Sequence, residues 1–194
     1  MERARLETYL RGRMGDVRIE RMIRAFPGFS RETWLVWFAG GEGVVVRAEP
    51  AGGGLVPVPF IREWRVYEAL GRTKIPVARA LWYDAAPEPT DGRPLFVRTL
   101  VEGSAYPTGL HDDTVEAAAR RRRVAEEHAE KLALLHKLDW RQAGFGAFLT
   151  APDSPRDALR HELKTWEVVW HQVKTEAFPV VSEALGWLEA RLPA

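Results

Sequence analysis

The sequence TWLVWFAGGEGVVVRA, residues 33–48, decides the fold of this 194-residue chain. β-Branched and aromatic residues fill Thr33 to Ala39 and Val44 to Ala48, and residues 40–43 between them read GGEG. Two such runs joined by a short glycine-rich connection are typical of a β-hairpin. The sequence therefore predicts an antiparallel sheet at this point.

Further elements flank this hairpin on both sides. Strands are predicted where apolar residues alternate or are β-branched, and helices where apolar residues recur three or four positions apart. Before the hairpin we expect a helix over Glu2 to Gly15 and a strand over Val17 to Ala25; after it, a helix over Phe60 to Arg72 and strands over Arg79 to Tyr83 and Leu95 to Leu100. About five strands with one inserted helix indicate an α+β lobe.

The composition changes after Gly103, where strand-like runs stop. Three helices are predicted beyond this point, over about Asp113 to Leu138, Pro155 to Glu176 and Pro179 to Leu192. Trp166, Val169, Trp170 and Val173 give the second of them an apolar stripe, which we interpret as core. We therefore expect two domains, a sheet lobe over residues 1–102 and a helical lobe over 103–194.

Composition and charge exclude several classes of function. The formal net charge of +1 gives no reason to expect a nucleic-acid partner, and no apolar run is long enough to span a membrane. The chain has no cysteine, which excludes disulfides and thiolate chemistry and fits a cytoplasmic protein. It also has no asparagine, so a mechanism that needs an Asn side chain as metal ligand is incomplete here.

The order of three features is typical of a phosphate-binding lobe. Residues 28–33, GFSRET, lie between two predicted strands, Arg47 ends the next strand, and Glu63 lies in the helix that follows. In protein kinases a strand cation pairs with a helix carboxylate and holds the nucleotide phosphates. Two other interpretations are open: residues 28–33 form an ordinary hairpin turn, and Arg47 and Glu63 form a surface ion pair of little energetic value.

Several sequence blocks resemble the aminoglycoside phosphotransferase family of the kinase-like fold, in the order found in that family. The resemblance covers nearly the whole chain. The blocks are Phe26 to Val36, Val46-Arg47, Arg62 to Leu70, Ile75 to Leu81, Val101 to Gly103 and Leu132 to Asp139. The family implies a protein-kinase-like N-terminal lobe with a five-stranded antiparallel sheet and one helix, followed here by a truncated helical lobe.

The resemblance also implies a binding site for ATP. Residues 28–33 would lie over its phosphates, Arg47 would contact them with Glu63 as its partner, and the backbone of residues 99–101 would meet the adenine. The residues assigned to ATP binding in this way are Gly28, Phe29, Ser30, Thr33, Arg47, Glu63, Thr99, Leu100 and Val101.

The chain departs from the family pattern at Arg47 and at Arg98, the residue just before the segment that would meet the adenine. Lysine is usual at the position of Arg47 in antibiotic-resistance enzymes, whereas arginine is commoner in the branch that acts on diverse hydroxyl substrates. Arg98 occupies a position that the family generally fills with an apolar residue, and a charge beside an adenine pocket is costly unless it is paired.

A third departure concerns catalysis. Family members continue into a His-Gly-Asp loop, whose Asp orients the acceptor hydroxyl, and then an Asn and a second Asp that hold magnesium. This chain ends at Ala194, before that point, and its superficially similar His111-Asp112-Asp113 is interpreted as the start of a helix. We therefore expect no catalytic residue and no metal ligand in the chain, with magnesium held mainly by groups outside it.

Three hypotheses follow. The chain is the ATP-binding part of a split phosphotransferase, whose partner chain carries the catalytic half and which acts on a small hydroxyl compound. Alternatively, it is a non-catalytic nucleotide-binding or protein-interaction module derived from that family. A third hypothesis, an RNA-binding α+β domain, would require net positive charge and exposed aromatics on a sheet face, and the near-neutral charge argues against it.

Overall fold

Five strands of the computed structural model form one antiparallel sheet. The structure describes residues 1–25, 31–53, 58–104 and 108–193. Within them the strands are β1 (Ile19–Arg24), β2 (Glu32–Phe38), β3 (Gly43–Ala48), β4 (Ala80–Asp84) and β5 (Leu95–Thr99). They are ordered β1-β2-β3-β5-β4, and each neighbouring pair is antiparallel. The predicted hairpin is therefore the β2–β3 pair at the centre of the sheet.

Helices account for most of the remaining regular structure in these ranges. They are α1 (Arg3–Met14), α2 (Phe60–Leu70), α3 (Val115–His136), α4 (Pro155–Val173) and α5 (Pro179–Ala190). Each predicted helix and strand is present, with ends within about three residues of the prediction, as fraying at element ends allows. Short 3₁₀ turns at Glu88–Thr90 and Phe145–Ala147 were not predicted. The predicted α+β fold is confirmed.

One face of the sheet, here called the α1 face, holds the aliphatic core. Leu6 and Leu10 of α1 are fully buried against it, together with Val36, Val46 and Val97 from three adjacent strands. Fully burying one such side chain contributes about 1.5–3 kcal/mol. This face therefore holds the core that stabilises the sheet.

The opposite face, here called the α2 face, is aromatic and charged. Residues paired directly across antiparallel strands share a face, and the strand register gives this face Thr33, Leu35, Val45, Arg47, Phe96 and Arg98. Phe96 is fully buried, and its ring centroid lies 5.3 Å, 5.9 Å and 5.7 Å from those of Phe60, Trp64 and Tyr67 on α2. Phe96 thereby fixes α2 against the face that carries Arg47.

Beyond β5 the described chain is helical, in line with the predicted change of composition near residue 103. Contacts between Cα atoms divide the chain into two compact units, residues 1–145 and 146–194. The first unit holds the sheet with α1, α2 and α3, and the second holds α4 and α5. The boundary predicted between the two lobes, at residue 102, differs from this division. The two predicted domains therefore stay a prediction.

Candidate functional site

An ion pair between β3 and α2 is the centre of the α2 face. The Nε atom of Arg47 lies 2.8 Å from Oε1 of Glu63, and its Nη2 donates to Oε2 over 3.4 Å. The Nε–H group is not aligned for a hydrogen bond, so the shorter contact is electrostatic. The two side chains are only 23% and 28% exposed, which makes the pair stronger than a typical surface pair.

A second arginine, Arg31, reaches the same carboxylate. Its Nε lies 3.8 Å from Oε2 of Glu63, and its Nη1 lies 3.9 Å from Oε1 of Glu49. Its Nη2 donates to the carbonyl of Val58 over 2.8 Å, and its guanidinium lies 5.2 Å from the ring centroid of Phe60. The side chain is 8% exposed, so Arg31 ties the start of β2 to the segment that leads into α2.

These contacts leave the α2 face with a local excess of positive charge. Arg31 and Arg47 lie there beside the carboxylates of Glu63 and Glu49, and Arg98 lies on the same face opposite Val45. The Nη1 group of Arg47 has no hydrogen-bond partner among the residues described. Planar guanidinium groups match the oxygen geometry of phosphates. The arrangement can therefore bind an anion, and Glu63 holds Arg47 in a fixed direction while it does so.

The backbone of residues 99–101 continues from the end of β5. The N–H of Thr99 donates to the carbonyl of Arg79 over 2.9 Å, and the N–H of Leu100 donates to the carbonyl of Gly43 over 3.3 Å. Both groups are thus already used within the fold, whereas Val101 is 65% exposed. Val101 is therefore the residue of this segment that is most open to a ligand.

Gly43 connects this segment with the central hairpin, and only glycine fits there. A Cβ atom at this position would lie 2.7 Å from the carbonyl oxygen of Val36 and 2.9 Å from Cδ2 of Leu100. Because the first of these neighbours is backbone, a side chain at Gly43 would push apart the hairpin and the segment after β5. The glycine therefore sets how closely the two approach.

Tyr83 of β4 forms the other border of the α2 face. Its ring lies 6.3 Å from that of Phe60 and 6.5 Å from that of Trp64. Burial raises the pKa of its phenol, and the charges of Glu49 and Asp84 raise it further. The Tyr83 phenol is therefore neutral and can donate or accept a hydrogen bond at the border of the site.

The structure brings three of the predicted site residues, Thr33, Arg47 and Glu63, together on the α2 face. Thr33 lies directly opposite Arg47 in the strand register, and Glu63 contacts Arg47 from α2. Three predicted residues, Gly28, Phe29 and Ser30, lie outside the described residues. The ATP-binding role of the set stays a prediction.

Sequence reasoning missed two residues of this site. Arg31 lies within the predicted loop over residues 28–33, and it is a cation beside Glu32 just before the hairpin strand. No local signal predicts its contact with Glu63, because the two are far apart in sequence and meet only when α2 packs on the sheet. Phe96 was likewise treated as one residue of a strand, and its position opposite Arg47 follows from the strand register alone.

The structure, within its described ranges, has no group of three or more His, Asp or Glu side chains arranged to hold a metal ion. The α-helices described are all too short or too polar to cross a bilayer.

Comparison with known proteins agrees with this geometry. Thirteen chains of solved structures match, among them one from Ralstonia eutropha JMP134 named "putative aminoglycoside phosphotransferase", with 22% identity and a TM-score of 0.60. The match covers 99% of this chain and 54% of that one, so this chain spans about half the length of its structural relative. The search of curated proteins gave no match. Residues 23–194 match the model of the phosphotransferase enzyme family, APH, and the chain therefore belongs to that family.

Proposed function

We propose that this chain is the nucleotide-binding part of a phosphotransferase that transfers a phosphoryl group to a hydroxyl of a small molecule. The observation that carries the proposal is the fixed ion pair of Arg47 and Glu63 on the α2 face, with Arg31 beside it. Kinases of this family use ATP with a divalent metal. A strand cation held by a helix carboxylate is the arrangement with which kinases hold nucleotide phosphates.

Each residue of the pair has a distinct role in this proposal. Arg47 donates from its unused Nη1 group to phosphate oxygens, and Glu63 restricts the guanidinium to one orientation. Arg31 adds positive charge and is itself held by Val58 and Glu49. Residues 99–101 receive the base, with Val101 as the exposed backbone position. The bound nucleotide would thus lie along the α2 face.

Magnesium does not fit the residues described, since they include no cluster of metal-ligating side chains. The groups that hold the metal and orient the acceptor hydroxyl therefore come from elsewhere. We assign them to a second chain or to a C-terminal half, in keeping with a structural relative about twice as long. This chain by itself would bind nucleotide without transferring phosphate.

The second compact unit offers a surface for such a partner. No residue of α4 or α5 is buried, and several of their apolar side chains are 40% or more exposed. The exposed residues are Leu159, Trp166, Val168, Val173, Phe178, Val180, Trp187 and Leu188. The proposed partner covers these residues with an apolar face and carries the metal-binding carboxylates. The apolar stripe that was predicted as core on the helix now called α4 would then be buried only in the complex with this partner.

Calorimetry with the purified chain tests the phosphate-binding part of the proposal. Inorganic tripolyphosphate and magnesium-ATP serve as probes, which separates phosphate binding from base binding. We expect Arg47→Ala to weaken the binding of both by at least about tenfold, the effect of one charge-assisted contact. Arg72→Ala is the matched control. Arg72 follows α2, the helix that carries Glu63; its side chain is 73% exposed and pairs with Glu68. A folded wild-type chain that binds neither probe would refute the proposed site.

A non-catalytic role is the second candidate, because the ion pair of Arg47 and Glu63 would serve nucleotide binding equally well in a module without catalytic groups. The chain would then bind nucleotide, or a protein, as a module derived from the family. The split enzyme and the non-catalytic module are separated by adding a partner chain and measuring the release of phosphate from ATP, with and without magnesium. Turnover that appears only with the partner supports the split enzyme, and binding without turnover in its presence supports the module.

A further inference from the structure

Arg31 is a largely buried cation of the α2 face, and each of its guanidinium nitrogens faces an oxygen atom of the protein. Nε lies 3.8 Å from Oε2 of Glu63, Nη1 lies 3.9 Å from Oε1 of Glu49, and Nη2 donates to the carbonyl of Val58 over 2.8 Å. The side chain is 8% exposed. Its place in the loop over residues 28–33 would suit a direct phosphate contact, but the guanidinium has little surface to offer a ligand.

These contacts join four separate segments of the first compact unit. Arg31 directly precedes β2, Glu49 follows β3, Val58 precedes α2, and Glu63 lies within α2. The guanidinium also lies 5.2 Å from the ring centroid of Phe60, the first residue of α2. A lysine at this position would keep the charge, but its single ammonium group could not face three oxygen atoms on different segments at once.

The contact with Glu63 bears on the direction of Arg47. The last torsion of a glutamate side chain is broad, so a carboxylate turns easily unless several groups hold it. Arg47 reaches both oxygens, with 2.8 Å from its Nε to Oε1 and 3.4 Å from its Nη2 to Oε2, while Arg31 approaches Oε2 from β2. Because Arg31 is itself held by other segments, it can keep the carboxylate in place while Arg47 contacts a ligand.

We propose that Arg31 is a positioning residue: it fixes the carboxylate of Glu63 and thereby the direction in which Arg47 meets a phosphate. This role rests on the proposed function, in which Arg47 contacts the phosphates of a nucleotide. The positive charge of Arg31 attracts an anion whatever the shape of the group that carries it, whereas positioning needs the three nitrogens of the guanidinium. Arg31→Lys therefore separates the two contributions.

Calorimetry with inorganic tripolyphosphate on the whole chain measures the effect on phosphate binding. We expect Arg31→Lys to weaken binding by about tenfold, close to the loss from Arg47→Ala, because a displaced Arg47 loses its charge-assisted contact. The double variant should bind within about twofold of Arg47→Ala alone, since Arg31 acts through Arg47. Wild-type affinity in Arg31→Lys, or losses that add in the double variant, would overturn the inference while the proposed function stands.

Arg93→Lys is the matched control for loss of stability. Arg93 is also partly buried: it donates to the carbonyl of Glu49, and its Nη1 lies 3.6 Å from Oε1 of Glu32. Among the described residues it has no ion pair with Glu63. This variant should lower the melting temperature, as Arg31→Lys should, and leave the affinity for tripolyphosphate within about twofold of wild type. If Arg93→Lys weakened binding as much as Arg31→Lys, loss of stability would explain both and the inference would be wrong.

Nitrogen-15 relaxation of the Nε group of Arg47 tests the same role without a ligand. Its order parameter should be that of a rigid group in the wild-type chain and in Arg93→Lys, and should fall below about 0.6 in Arg31→Lys. An Arg47 side chain equally ordered in all three proteins would overturn the inference, whether or not a probe binds. Failure of a folded wild-type chain to bind tripolyphosphate and magnesium-ATP, with Arg47 ordered as expected, would instead overturn the proposed function.

Discussion

Arg47 and Glu63 form an ion pair with 2.8 Å between Nε and Oε1, and the pair joins the centre of the sheet to α2. The same carboxylate lies 3.8 Å from Nε of Arg31. One negative charge therefore holds two partly or largely buried guanidinium groups. Removal of that charge leaves two cations close together in a region of restricted solvent, so Glu63 matters more to this lobe than either arginine alone.

Glu63→Gln should therefore destabilise the chain. We expect the free energy of unfolding to fall by about 1–3 kcal/mol, because Arg47 loses its carboxylate and Arg31 loses one of the groups that hold it. Urea unfolding followed by tryptophan fluorescence measures the change. Glu68→Gln on the same helix is the control: it breaks an exposed pair with Arg72, and the expected change is below about 0.5 kcal/mol. Equal effects of the two variants would show that Glu63 is an ordinary surface residue.

Gly43→Ala should disturb the hairpin and the segment after β5 together. The new Cβ would lie 2.7 Å from a backbone oxygen of Val36, and relief of that overlap costs about 1–3 kcal/mol. Thermal unfolding measures the loss, and hydrogen exchange at the Leu100 amide, which donates to Gly43, reports the local opening. Gly40→Ala in the same connection has no atom within 4 Å of its Cβ and should change the melting temperature little. A melting temperature for Gly43→Ala close to that of Gly40→Ala would contradict the close approach.

Tyr9 should make stability depend on pH in the alkaline range. Burial raises the pKa of its phenol to about 12, and the hydrogen bond to Asp84 also raises it, while the one from Trp82 lowers it. The folded state thus retains the phenolic proton at pH values where the unfolded chain, with an ordinary pKa near 10, releases it. The stabilisation is complete below about pH 10 and is lost as pH rises through about 12.

Tyr9→Phe removes this contribution. At neutral pH it should lower stability by about 0.5–1.5 kcal/mol, since the hydroxyl donates to Asp84 over 3.1 Å and accepts from Trp82 Nε1 over 3.0 Å. Between pH 10 and 12 the difference from wild type should shrink, because wild type loses more stability than the variant. Urea unfolding at a series of pH values tests both effects. Parallel curves for the two proteins would exclude Tyr9 as the source of the alkaline slope.

Trp187 and Val180 of α5 should be tolerant of polar substitution in the isolated chain. They are 56% and 69% exposed, so replacing both with Ser should alter the free energy of unfolding by less than about 1 kcal/mol. The same variant should bind less anilinonaphthalene sulfonate and self-associate less in sedimentation. A wild-type chain that binds none of the dye would mean that these side chains are covered within the chain, and the proposed partner surface would be wrong.

The sequence alone was enough for the order and type of the elements. Apolar periodicity is local, and the runs on either side of residues 40–43 predicted the β2–β3 pair, with bounds that differ by about one residue from those observed. The pairing of Arg47 with Glu63 was also predicted, because the resemblance to kinase-like proteins supplies that long-range contact. The family follows from the same blocks and is confirmed over residues 23–194.

Only the tertiary structure decided which residues surround that pair. Arg31 contacts Glu63, and Phe96 lies opposite Arg47, through strand register and helix packing that no local pattern contains. Sequence placed Arg98 on a strand but left open which face it takes and whether its charge is paired; the register puts it on the α2 face with a buried, unpartnered Nε. Periodicity fixes local conformation, whereas the partners of a buried charge depend on which distant segments pack together, and so the site was completed by the fold.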